Sequence, residues 1–289
     1  MTNMRIVATA VAVAGFCGLL SAPALAAGGT TPAPPTLTSI RAAHHPGFDR
    51  LVFQFTRGLP AKRTVSYVPK VIADASGKVV PVSGNARMRV VFSAAAVGKN
   101  LNQRSFALPG LLQVVQAGNF ESVVSYGIGV AKKEPVHLFT LTNPARVVID
   151  LPTPYRTVAA QVFLADSHGF ATGGKPVKAV SRSVIPPALA RGVMQRLFAG
   201  PTPAEFAAGL RFVSSDATGF KNLTISDHVA RIQLTGGCNS HGSTLTIASE
   251  IMSTLKQFSS VHWVKIYDPA GHTEHPTGHS DSIPTGLEP

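Results

Sequence analysis

The residues able to do chemistry are few, and most lie in the last third of the chain. Cys238 sits in a Thr-Gly-Gly-Cys-Asn-Ser-His-Gly stretch, three residues before His241. A nucleophilic thiol needs a base to form the thiolate and a third group to orient that base. Cys238 with His241 therefore describes a thiol hydrolase, although the motif supplies no third group. The plainer reading is a half-buried structural cysteine in a glycine-rich turn between a strand and a helix. The same loop, Gly236, Gly237 and Cys238, offers backbone N–H groups to an anion at the start of the next helix. The plainer reading there is that the glycines only permit the turn.

His272, Glu274, His275 and His279 make the tail the richest metal-ligand stretch by composition. Pro276 and Gly271 oppose the helix that would gather these side chains, and zinc requires three or four fixed ligands. No metal site and no cofactor is assigned. The nucleophile elbow, the Ser-x-x-Lys pair, His-Glu-x-x-His and the P-loop are absent. The first half holds five acids and no evident pair of carboxylates, so a paired-carboxylate glycosidase has no support.

A second chemistry is electrostatic. Formal net charge is +12. Residues 27–156 carry fifteen Lys and Arg against five Asp and Glu, whereas residues 157–289 carry ten against nine. A basic first half beside a near-neutral second half suits a polyanionic partner, although net charge also serves solubility. Arg41, Arg50, Arg57, Lys62, Arg63, Arg87 and Arg89 lie on or beside predicted strands and form a basic patch if several share a sheet face. Nucleic acid is not the expected partner, because few aromatics interleave with this charge.

The elements that must position these groups begin after a leader. Arg5, the apolar run Ile6–Leu20 and Ala24-Leu25-Ala26 read as a secretory signal peptide, residues 1–26. The run is shorter than the roughly 20 residues of a membrane span, and no later segment is long and apolar enough to cross. Cys17 leaves with the signal, so Cys238 has no internal disulfide partner. Residues 27–37 read as a Pro-rich flexible lead.

From residue 38 to 152 short strands follow one another between turn signals, with no convincing helix. In Asp49–Phe55, Leu51, Phe53 and Phe55 point one way. This pattern predicts an all-β sandwich. Ala-Ala-His44-His45-Pro-Gly-Phe-Asp-Arg-Leu-Val-Phe-Gln-Phe and the closing Asn-Pro-Ala-Arg-Val-Val-Ile-Asp-Leu-Pro resemble the AMIN-like domain of secreted actinobacterial proteins, which is related to the AMIN domain of cell-wall amidases. The resemblance implies a β-sandwich that localises a protein in the envelope by binding wall polymer. It gives His44 and His45 a role in the fold or a turn.

After the linker 152–157, residues 158–271 read as a separate α+β domain. Predicted strands at 158–164 and 177–185 precede a helix that Pro186-Pro187 opens and Gly200 closes. A short helix from Pro203 and a hairpin turning at 226–228 come next. Leu245, Ala248, Ile251, Met252, Leu255 and Phe258 then share one helical face behind Ser243 as cap, and 261–266 forms a strand. This order, with Leu-Phe-Ala-Gly-Pro-Thr-Pro-Ala-Glu and Thr-Leu-Lys-Gln-Phe, resembles the GerMN domain, a family related to a spore germination and sporulation protein. The resemblance implies a non-enzymatic interaction or wall-binding module. Related sequences pair the Gly-Gly-Cys cysteine with a second cysteine near a C-terminal Leu-Glu-Pro. Here Leu287-Glu288-Pro289 has none, so any tie between the tail, 272–289, and the Cys238 loop is non-covalent, and a looser tail is expected.

The combined expectation is an exported, non-catalytic envelope protein. Its basic sandwich would bind peptidoglycan or an associated acidic polymer, and its second domain glycan or another envelope protein, with a link to sporulation, germination or envelope maintenance. The alternatives are a wall-remodelling thiol hydrolase using Cys238 and His241, or a ligand carrier.

Overall fold

A computed structural model describes residues 33–289. The expected signal peptide, its cleavage after Ala26 and Cys17 lie outside the described residues. Among those described, no helix is long and apolar enough to cross a membrane.

The first half runs β1 (Thr36–His45), β2 (Phe48–Thr56), β3 (Lys62–Tyr67), β4 (Val71–Ile72), β5 (Val79–Val80) and β6 (Ala86–Ser93). It continues through β7 (Ala96–Val97), β8 (Gln103–Ser105), β9 (Leu111–Phe120), β10 (Val123–Val130), β11 (His137–Leu141) and β12 (Arg146–Pro152). One sheet has the order β11-β12-β2-β1-β7, the other β3-β6-β10-β9-β8. The alternation of β2 sends Asp49, Leu51, Phe53 and Phe55 inward, all buried. Between the sheets Phe92 of β6 meets Phe53 and Phe55 edge-on, with ring centroids 5.1 and 5.2 Å apart. This is the expected sandwich. It begins earlier than the flexible lead allowed, because Thr36 and Leu37 belong to β1 and Leu37 is fully buried.

The β4–β5 hairpin lies on the outer face of the second sheet. Val71 and Val82 bury there with Ala117. A Cβ on Gly127 would come within 2.8 Å of both valines, so the glycine of β10 is what admits the hairpin. Asp74 pins it, bonding Arg89 and accepting from Ser125 Oγ at 2.6 Å.

The second half comprises β13 (Val158–Asp166), α1 (Ser167–Ala171), β14 (Val177–Val184), α2 (Leu189–Ala199), α3 (Pro203–Ala207) and β15 (Leu210–Arg211). Then come β16 (Ala217–Ser226), β17 (Val229–Gly236), α4 (Ile247–Leu255) and β18 (Trp263–Tyr267). Its sheets are β14-β13-β15 and β16-β17-β18, with β17 and β18 parallel, and α4 makes the crossover that a parallel pair requires. The β16–β17 hairpin turns at Asp227-His228, both at positive φ, as a two-residue hairpin demands. The cap of α4 is Thr246, not Ser243: Thr246 Oγ1 accepts from Ala248 N, whereas Ser243 Oγ closes a local turn with Leu245. Val193, Leu197, Ile251 and Leu255 of the helices bury against Val162, Ile232 and Ile266.

The two halves keep their own hydrophobic cores within one compact unit, Ala33–Pro289. Between them Leu112 and Ala131 bury with Ala199. Ser83 Oγ donates to the Gln195 carbonyl at 2.6 Å, and Arg196 donates to the Pro109 carbonyl at 2.9 Å. Arg196 is buried, and burial pushes its guanidinium down to about 10. The linker is pinned as well, since Thr153 N bonds Gly47 O at 2.7 Å and the Tyr155 ring packs under Lys132.

Candidate functional site

Because odd positions of β2 point into the sandwich, Phe48, Arg50, Val52 and Gln54 point out. Register sets their neighbours. His45 pairs with Phe48, Asp150 pairs with both Arg50 and His137, and Phe139 pairs with Val148. The outcome is a stacked row across the outer face of the first sheet. His45 stacks on Phe48 with centroids 4.9 Å apart, and His137 on Phe139 at 5.2 Å. Between these pairs the Arg50 guanidinium lies 5.1 Å from the Phe48 ring and 5.4 Å from the Phe139 ring. Asp150 holds it there through two bonds of 2.7 Å each, and that hydrogen bonding raises the Arg50 pKa above its usual value. Arg41 and Ala43, both exposed, extend the face along β1.

One buried carboxylate fixes this arrangement from below. Asp49 Oδ2 accepts from Gly110 N at 2.7 Å and Leu111 N at 2.9 Å, and Oδ1 lies 2.7 Å from His44 Nδ1. Asp49 therefore ties the β1–β2 hairpin to the loop before β9. The histidine pair divides its labour: His44 turns in to the aspartate and His45 turns out to the stacked row.

Residues 35–153 match the AMIN-like domain. No curated protein and no solved structure matches the chain. The AMIN-like domain points to a cell-envelope-associated binding role and an extracytoplasmic location.

Within the AMIN-like domain the seven cations are divided between faces. Arg41 and Arg50 share the outer face of the first sheet. Lys62, Arg87 and Arg89 share that of the second, because Lys62 pairs with Ser93 and Ser66 with Arg89. Arg89 is taken by Asp74, and Arg87 Nε donates to the Val82 carbonyl at 2.8 Å. Arg63 alternates to the inner side and donates to Pro60 O. Arg57, in the turn after β2, bonds Pro34 O and Thr36 Oγ1. Of the aromatic partners of Arg50, Phe48 lies two residues away on the same strand, whereas Phe139 comes from β11, far along the chain, and only the fold brings it there.

The second half places its predicted groups separately too. His241 Nε2 faces Asp216 Oδ2 at 2.9 Å. Burial pushes the Cys238 thiol up to about 11, so it stays protonated at neutral pH. Gly237 N is spent on the Asp216 carbonyl at 2.7 Å, and a Cβ on Gly236 would meet Thr218. These glycines serve the turn. The tail docks on this loop: Ser240 N donates to Gly286 O at 2.7 Å, and Leu287 is buried in the core. The tie is non-covalent, as Cys238, the lone cysteine among the described residues, requires. The tail histidines diverge, with His279 on Asp227 at 2.7 Å and His272 beside Asp268. Among the described residues no cluster of three or more metal-ligating side chains forms.

Buried ionisable groups were not evident in the sequence, among them Lys265 and Glu250. Lys265 lies between Val264 and Ile266 of β18, fully buried, and donates to the carbonyls of His275 at 2.5 Å and Thr277 at 3.0 Å. Glu250 of α4 accepts from Ala165 N at 2.9 Å and Val213 N at 3.1 Å. Burial pushes its carboxyl up to about 8. Its signal was the helical period, which places position 250 with Ile247 and Thr254 on the inward face.

Proposed function

We propose that the protein is an exported, non-catalytic component of the cell envelope that binds wall polymer through the outer face of the AMIN-like domain's first sheet. The single observation carrying this reading is the row His45–Phe48–Arg50–Phe139–His137. Half-exposed aromatics grouped on one outer sheet face suit a binding surface. Sugar rings present flat C–H faces that stack on such rings, and Arg and His supply donors for ring hydroxyls and acidic substituents. Because Asp150 fixes Arg50 between the two phenylalanines, little ordering entropy remains to be lost on binding. The second half, which resembles a GerMN domain, engages glycan or a partner protein at the same site in the envelope.

The test is sedimentation of the protein with purified peptidoglycan sacculi, with and without their acidic polymers, across a salt series. Co-sedimentation that weakens but persists at high salt fits stacking plus charge. No co-sedimentation with either preparation contradicts the proposal.

A further inference from the structure

Where the halves meet, the β4–β5 hairpin on one side and α2 with the β16–β17 hairpin on the other enclose a cleft of about 670 Å³. That volume falls within the roughly 300–1,000 Å³ of small-ligand sites, which favour domain boundaries. Its walls carry Lys70 and Arg87 from the first half and Arg191 from the second. No Asp or Glu lines it. Among the described residues, Lys70 and Arg191 make no ion pair, and both are exposed. Arg87 is half-buried and is fixed by its bond to the Val82 carbonyl. Phe198 and Phe220, with centroids 5.5 Å apart, give the cleft an apolar wall.

A second hollow of about 210 Å³ adjoins it, sharing Asn85, Arg191 and Gln195; its wall holds no carboxylate and adds Arg196 and Lys132, the latter paired with Glu134 at 3.0 Å. Arg191 thus stands between two basic hollows in series. Cations gathered in a concave, partly apolar site focus their field and concentrate anions. A surface built only for solubility would intersperse carboxylates. The outer face of the first sheet differs in kind, because its central arginine is already neutralised by Asp150.

We infer that this cleft is a second binding site, held jointly by the two halves, for an extended anionic glycan segment bearing phosphate or carboxylate groups. The ligand class rests on the wall-polymer reading, whereas the site rests on the cleft itself. Binding there would stiffen one half against the other, since Lys70 and Arg191 approach the ligand from opposite sides.

The experiment is calorimetric titration of the full chain with three soluble probes: a glycerol phosphate oligomer, an oligogalacturonate and uncharged chitotetraose. The first two separate phosphate from carboxylate as the anion recognised. Variants are Lys70→Ala with Arg191→Ala, and Lys175→Ala as a remote loss of one charge. At least one anionic probe should bind more tightly than chitotetraose, and the paired variant should weaken it about tenfold or more. Lys175→Ala should bind as wild type does. Failure of both anionic probes, or equal binding by the paired variant, overturns the inference. Sacculus sedimentation of the same proteins keeps the readings apart. Sacculus binding without probe binding removes only the cleft, and probe binding without sacculus binding removes only the wall reading.

Discussion

Arg50 and Asp150 face each other across β2 and β12, 100 residues apart in sequence, joined by two hydrogen bonds of 2.7 Å each. The pair is partly exposed, with side-chain exposures of 35% and 17%, so its contribution to stability is no more than about 1 kcal/mol. Its importance is positional. Asp150→Asn removes the charge that holds Arg50 between Phe48 and Phe139. We expect sacculus affinity to fall several-fold while the melting temperature moves little, as sedimentation and thermal denaturation would show. A loss of stability with unchanged binding would make the pair merely structural.

Asp49 is the opposite case. It is buried, and three donors or potential donors converge on it. Asp49→Ala orphans two backbone N–H groups and should destabilise the sandwich by about 2–5 kcal/mol, read from urea denaturation. Asp49→Asn keeps one acceptor and should lose less.

The strands of the sandwich were legible because alternation is local. Leu51, Phe53 and Phe55 announce which way β2 faces without reference to any other strand. The stacked row was not legible. Its members come from β1, β2 and β11, and only the cross-strand register brings Phe139 beside Arg50. For the same reason seven cations that look like one patch are split: five lie on two outer faces, Arg63 turns inward and Arg57 sits in a turn. The docked tail was hidden differently. Leu287 is one leucine among polar and small residues, and nothing local says that it fills a core.

Glu250 gives a pH dependence. Its folded pKa, about 8, lies above the ordinary carboxyl value of 4.5, because burial disfavours the charge. A carboxyl raised on folding binds its proton more tightly in the native state. Its stabilising contribution is complete below about pH 4.5 and is lost as pH rises through about 8. We expect wild-type stability to fall between pH 5 and 8 by up to about 1.4 kcal/mol per pH unit. Glu250→Gln, which cannot ionise, should flatten that slope in denaturation curves taken across the range. Equal slopes in the two proteins would contradict the assignment.

Leu287 tests the tail. It is 1% exposed in the second core, so Leu287→Ala should cost about 2–4 kcal/mol. It should also loosen the Cys238 loop that Gly286 covers, and alkylation of Cys238 by iodoacetamide should quicken. Wild-type alkylation should be slow, given a thiol pushed up to about 11. Rapid alkylation of the wild type would place the thiol in a different environment.

The most direct test of the central claim compares wild type with Phe139→Ala for binding to purified sacculi. Phe139 is half-exposed, on a strand at the edge of its sheet, so the fold should survive its truncation. We predict a loss of affinity of about fivefold to tenfold, or about 1 kcal/mol, at an unchanged circular dichroism spectrum. Sacculus binding equal to wild type would show that the stacked face is not where wall polymer is held.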